Sequence, residues 1–103
     1  MLTREVAIAK AKEFIASCRN HNIIFNNVIL FGSASRGEAT EYSDIDLLLV
    51  SDIFGFDKWE NAKLIASVNK HFSLIDAHTF PTEYFIEGDP LINEIKRTGI
   101  EIK

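Results

Sequence analysis

The sequence predicts an α/β (α+β) fold, a small mixed β-sheet with helices packed on it. Three observations carry that prediction. The apolar runs around "VILF" at 28–31 and "LLLV" at 47–50 are unbroken enough to be strands covered on both faces. A third run, "SLIDAHTF" at 73–80, has the same strand character. The segments around these runs place apolar residues at helical spacing.

The opening segment, Thr3 to Arg19, is a predicted helix. Ala7, Ala11, Phe14 and Cys18 form its stripe, widened by Ile8 and Ile15, and Asn20, His21 and Asn22 end it. The first strand is centred on Val28, Ile29, Leu30 and Phe31. Gly32-Ser33 then turns the chain into a short predicted helix near Ala34 to Arg36, and a polar stretch leads to the second strand, Asp44 to Ser51. Sequential strands are usually neighbours, so these two are expected side by side.

Asp57 with Glu60 three residues on has the pattern of a capping box and opens a helix to about His71. Trp59, Ala62 and Ala66 are read as one packed stripe, with Ile65, Val68 and Phe72 widening it. The third strand runs from Ser73 to Phe80 and stops at Pro81. A short turn or helix at Thr82 to Phe85, a loop at Gly88-Asp89-Pro90 and a helix from Leu91 to Thr98 follow. Gly99 ends that helix, and Ile100 to Lys103 adds a short terminal strand.

With 103 residues, no repeats and no linker, 1–103 is expected to be a single domain. The formal net charge of −4, with Lys and Arg scattered, argues against coating nucleic acid by bulk electrostatics. No apolar stretch approaches a membrane span, and charged residues interrupt any signal-peptide pattern near the N-terminus. A lone cysteine, Cys18, fits a reducing, cytoplasmic setting, as a small buried apolar residue and not a nucleophile.

Chemistry concentrates in "LFGSASRGEATEYSDIDLLLV", residues 30–50. Side chains alternate along a strand, so Asp44 and Asp46 share a face about 6.5–7 Å apart. Two carboxylates side by side repel unless a cation lies between them, and hard oxygen ligands suit Mg²⁺ or Mn²⁺. Asp76 is the one acid in the third apolar strand, and with that strand adjacent it completes a three-carboxylate cluster. Such a cluster suits metal-assisted phosphoryl or nucleotidyl transfer. The plainer alternative makes Asp44 a cap following Ser43, Asp46 a solvent-facing residue and Asp76 an edge-strand charge.

Gly32 and Ser33 sit at a strand-to-helix junction, where backbone N–H groups and a hydroxyl suit a phosphate, and Arg36 adds a cation nearby. "GSASRGEA" is not a P-loop, because Glu38-Ala39 stands where Lys-Ser/Thr is required, and no G-x-G-x-x-G occurs. A phosphatase-type D-x-D is disfavoured because here the aspartates precede the apolar run. His78, on the face of Asp76, is read as a partly exposed strand histidine, with substrate orientation as its alternative role. Tyr42 and Trp59 are read as packing residues, with base stacking as the alternative.

The composite G-S-x10-D-x-D, with "SRG" and "SDIDLLLV" beside it, resembles the DNA polymerase β-type nucleotidyltransferase superfamily. It is similar in particular to its minimal nucleotidyltransferase branch, the MNT domains. That resemblance covers about Val28 through Asp76. It implies a polymerase β-like fold, phosphate contacts from Gly32 and Ser33 with Arg36 and Ser43 in the nucleotide site, and Mg²⁺ (or Mn²⁺) held by Asp44, Asp46 and Asp76. It also implies ATP as donor and Asp76 helping to activate an acceptor hydroxyl. Ala34 departs from the pattern, since many relatives carry a basic residue there.

MNT proteins often pair with a separately encoded helical HEPN protein, a toxin that they neutralise, in some cases by moving AMP from ATP to a tyrosine. The resemblance therefore implies an antitoxin enzyme whose partner supplies the acceptor, because no helical substrate-binding domain is evident in this sequence. Two alternatives stay open: a non-catalytic antitoxin acting by contact, and the catalytic subunit of a two-component small-molecule nucleotidyltransferase. The Phe-rich C-terminal part (Phe72, Phe80, Phe85, with Leu91, Ile92 and Ile95) exceeds what a small core needs, and some of it is expected to form a protein–protein surface. Self-association is left open.

Overall fold

Thr3 begins the first helix by accepting the Val6 N–H on its Oγ1 at 3.1 Å, which satisfies one of the donors that a helix start leaves bare. The computed structural model describes residues 2–40 and 43–103, and Tyr42 lies outside that set. Helix α1 is Arg4–Asn20, and it buries the predicted stripe of Ala7, Ala11, Phe14, Ile15 and Cys18. Strand β1 (Asn27–Phe31) and strand β2 (Ile45–Ser51) pair antiparallel, with Phe31 opposite Asp46. Helix α2 (Lys58–Asn69) crosses back to strand β3 (Ile75–Pro81), which pairs with β2 in parallel. Helices α3 (Thr82–Glu87) and α4 (Pro90–Thr98) lead to strand β4 (Ile100–Glu101) on the far side of β1. The sheet order is β3-β2-β1-β4, a mixed sheet as expected.

Period-two alternation divides the core between the two faces of this sheet. One face gathers Val28, Leu30, Ile45, Leu47 and Leu49 under Phe14, Phe25, Ile65 and Val68, residues of α1, α2 and the loop between α1 and β1. Phe14 stacks on Phe25 at 6.2 Å and meets Phe72 edge-on at 5.4 Å. The other face is smaller: Ile29, Leu48 and Val50 under Ile92 and Ile95 of α4, flanked by Phe31, Phe80, Tyr84 and Phe85. Asp46 belongs to this second face, ahead of Leu48 and Val50. Cys18 is fully buried on α1, and burial pushes its thiol up to about 11, so it stays a protonated packing residue near neutral pH.

Two expected elements differ. Where a short helix is predicted at Ala34 to Arg36, the chain makes consecutive turns. Ser35, Arg36 and Gly37 N–H groups reach Gly32, Ser33 and Ala34 carbonyls at 3.2–3.3 Å, and Gly37, at φ +71°, ends the run. A single turn closed by three-residue bonds has no following residues to propagate it as a helix.

On α2 the buried stripe is Asn61, Ile65 and Val68, while Trp59 is 71% exposed. Asn61 fixes that rotation. Its amide donates to Gly55 O at 2.8 Å and Thr79 Oγ1 at 3.1 Å, and its Oδ1 accepts the Gly55 N–H at 2.9 Å. A buried amide with all these partners is inexpensive to bury, whereas turning α2 to bury Trp59 would strand it.

Asp57 caps α2 as its sequence pattern suggests, accepting the N–H groups of Trp59 (3.0 Å) and Glu60 (3.2 Å). The return half of the capping box is not made, because Glu60 pairs instead with Lys63 at 3.1 Å. Asp57→Ala is therefore expected to lower unfolding stability by about 1 kcal/mol, read as a downward shift in urea midpoint with unchanged slope.

Candidate active site

Three strands converge on one end of the second face. Asp46 is the second residue of β2 and Asp76 the second of β3, and the parallel register sets them opposite one another. Phe31, the last residue of β1, flanks Asp46 on the other side. The adjacency on which a cluster with Asp76 depends is thus present, and like charges directly opposite on neighbouring strands are unfavourable without a cation.

His78, two residues beyond Asp76, places its Nε2 3.3 Å from Asp46 Oδ1 and 3.4 Å from Asp76 Oδ2. The donor atoms of Asp46, Asp76 and His78 all lie within 4.8 Å of one another, close enough together to hold one metal ion. The ring of His78 meets Phe31 edge-on, centroids 5.0 Å apart. His78 is a partly exposed strand histidine, as expected, and its two-residue spacing from Asp76 is the sequence signal that puts the two on one face. Asp44 stands apart. It lies exposed just ahead of β2, outside the group of three, while the neighbouring Ile45 N–H donates to Leu74 O at 2.7 Å.

The Gly32-Ser33 turn closes over the same place. Gly32 has φ +75°, and a Cβ added to it would collide with Asp46 Oδ2. Only glycine combines that backbone with so close an approach to the carboxylate. The turn is tied down from several sides: the Gly32 carbonyl accepts the Ser35 hydroxyl at 2.7 Å, and Arg4 of α1 donates its Nε to Ser35 O at 3.0 Å. The Ser33 carbonyl accepts the N–H groups of Arg36 (3.2 Å) and Glu38 (3.0 Å). Among the described residues, the N–H groups of Ser33 and Ala34 have no acceptor, so two donors stay free beside the carboxylates. Arg4 and Ser35 were not among the sequence candidates, and a contact spanning 31 residues leaves no local signal.

Arg36 and Ser43 sit farther out. Arg36 is exposed and paired with Glu38 at 2.9 Å. The Ser43 hydroxyl accepts the Thr40 N–H at 2.9 Å, closing the loop that leads into β2. A cavity of about 350 Å³ opens beside Asp76 and His78 along the outer edge of β3, bounded by α2 and reaching Lys58 and Phe80.

The donor set fits a divalent cation. Two carboxylates face each other across paired strands, both are partly exposed, and Gly32 has no side chain to cover the Asp46 carboxylate.

The chain resembles known proteins in both sequence and fold. The family described as "Nucleotidyltransferase domain" matches residues 11–101. A protein of Methanocaldococcus jannaschii, described as a "putative protein adenylyltransferase", is 44% identical over 43 residues, which are 41% of this chain and 43% of that protein. A crystal structure of a "putative nucleotidyltransferase" from Sulfolobus solfataricus superposes with a TM-score of 0.67 at 18% identity, covering 95% of this chain and 80% of that one. The likeness to that structure is one of fold.

Proposed function

Because this chain belongs to the nucleotidyltransferase domain family, we propose that it moves a nucleoside monophosphate, AMP from ATP, onto a hydroxyl of a partner protein. The observation that carries the reading is the meeting of Asp46 and Asp76 across β2 and β3 under the Gly32-Ser33 turn. A divalent cation, Mg²⁺ or Mn²⁺, would be held by Asp46 and Asp76, with Asp44 ahead of the strand. When bound it supplies positive charge that acidifies the acceptor hydroxyl and offsets the charge on departing pyrophosphate.

The remaining work falls to the chain itself. The free N–H groups of Ser33 and Ala34 would take phosphate oxygens. Ser35 and Arg4 hold that turn in place. Arg36 would leave Glu38 to approach the triphosphate, while Ser43 shapes the loop. The acceptor oxygen attacks the α-phosphorus and a new P–O bond forms. The bond to the β-phosphate breaks, and pyrophosphate departs with the pair of electrons. Asp76 is the carboxylate assigned to receive the hydroxyl proton.

The acceptor we assign to a tyrosine on a separately encoded helical HEPN-type toxin, which makes this chain an antitoxin. The M. jannaschii relative, described as a "putative protein adenylyltransferase", favours a protein acceptor. The exposed apolar side chains Ile86 and Leu91, on α3 and α4, are surface of the kind that a partner covers. Intact-mass analysis of the protein encoded beside this one, co-produced with this chain, tests the reading. The expected result is a gain of one AMP per acceptor tyrosine, absent when the Asp44→Ala/Asp46→Ala chain is used. Neutralisation of the toxin by that double variant at equal dose, with no AMP on either protein, would instead establish contact alone as the mechanism.

A further inference from the structure

We infer that His78 is itself a ligand of the metal at this site, and that it turns the site's preference from Mg²⁺ toward first-row transition ions of the Mn²⁺ and Zn²⁺ class. The inference rests on the nucleotidyltransferase reading for the presence of a metal. It goes beyond that reading in the ligand set and in the ion.

Distance carries the first half of the argument. The His78 Nε2 lies 3.3 Å from one carboxylate oxygen and 3.4 Å from the other. Both separations exceed the usual N–H···O hydrogen bond of about 2.7–3.2 Å. Donors bound at about 2.0–2.1 Å to one tetrahedral ion lie about 3.4 Å apart, the spacing seen here. The imidazole nitrogen makes a long hydrogen bond to Asp46 and lies nearly as close to Asp76, so the three donors already stand at separations that one shared ion can bridge.

Placement carries the second half. The parallel register sets His78 beside Leu48 on β2, one step inward from the facing aspartates on the same side of the sheet. Phe31 from β1 supports its ring edge-on. The His78 side chain is 39% exposed, so the group is reachable from solvent. An imidazole nitrogen is a borderline donor that suits Mn²⁺, Zn²⁺ and their neighbours, whereas Mg²⁺ favours oxygen and keeps its waters. Two carboxylates with one imidazole thus form a mixed set that three carboxylates would not.

The test is calorimetric titration of Mg²⁺, Mn²⁺ and Zn²⁺, each alone, into the wild-type chain and into His78→Ala, His78→Gln and Asp46→Asn, with thermal melts as a folding control. Wild-type affinity for Mn²⁺ and Zn²⁺ is expected to exceed that for Mg²⁺ by about 10-fold or more. His78→Ala and His78→Gln are expected to erase that preference while changing Mg²⁺ affinity less than about 2-fold, and Asp46→Asn weakens all three. Pulsed electron paramagnetic resonance of the Mn²⁺ form should show coupling to a histidine nitrogen that both His78 variants lack.

Unchanged Mn²⁺ and Zn²⁺ affinity in both His78 variants, or tighter binding of all three ions, overturns the ligand role. If wild-type transfer activity persists in that case, the functional reading stands without it. His78-dependent Mn²⁺ binding without any transfer overturns the functional reading and keeps the ligand role.

Discussion

Asp46→Asn is expected to lower nucleotidyl transfer by about 10³-fold or more while leaving the melting temperature unchanged or slightly raised. The substitution keeps shape and removes one charge from the pair of carboxylates proposed to hold the metal. Metal-assisted charge stabilisation is worth several kcal/mol in the transition state. About 4 kcal/mol corresponds to about three orders of magnitude in rate. Stability should not fall, because in the folded chain Asp46 faces Asp76 across paired strands and sits beside His78. Losing one carboxylate relieves a cross-strand repulsion. Steady-state kinetics beside a thermal melt reads both quantities. A variant that loses activity and unfolds together would make Asp46 a structural residue.

Gly32→Ala is expected to reduce transfer by about 10²-fold and to cost about 1–2 kcal/mol of stability. Both effects have one origin. The residue sits at φ +75°, where an L side chain is strained, and the added methyl would meet Asp46 Oδ2. Relief requires Asp46 to swing from its partner or the turn to lift from the sheet. Either movement separates the free N–H groups of Ser33 and Ala34 from the carboxylates. Gly55→Ala is the internal control: nothing lies within 4 Å of a Cβ there, so kinetics and stability should match the wild type closely. Equal behaviour of the two alanine variants would show that close approach at Gly32 has no part in the site.

Much of this arrangement was legible in the sequence because it depends on local periodicity. The stripe of Ala7, Ala11, Phe14 and Cys18 is fully buried on α1, and the alternation in β2 sends Ile45, Leu47 and Leu49 to one face and Asp46 with Leu48 to the other. Asp76 could be picked out because it interrupts an apolar strand, and strand adjacency then carried it to Asp46. What stayed hidden depends on contacts far apart in the chain. Trp59 and Asn61 both begin plausible helical stripes, and the choice between them is made by hydrogen bonds to Gly55 and Thr79. The residues at 34–36 are compatible with a helix, yet the anchoring of Ser35 to Gly32 and Arg4 and the left-handed Gly37 confine them to turns.

The site shows the same division. That His78 shares a face with Asp76 follows from a spacing of two. That its ring also reaches Asp46 follows only from the parallel register between β2 and β3. Asp44 is the converse case: alternation gives it the face of Asp46, but it precedes the strand and lies apart from the Asp46–Asp76–His78 group. One pattern, D-x-D, therefore supplies two aspartates with different surroundings.

Transfer of the α-phosphoryl nucleotide unit at Asp46 and Asp76 can be followed with labelled ATP. The wild-type chain, the proposed partner protein and a divalent metal are incubated with ATP carrying the label on either the α- or the γ-phosphate. The expected result is that α-label becomes covalently attached to the partner, γ-label leaves as pyrophosphate, and both events disappear with Asp46→Asn. Attachment of γ-label to the partner, or α-label transfer undiminished in Asp46→Asn, would contradict it.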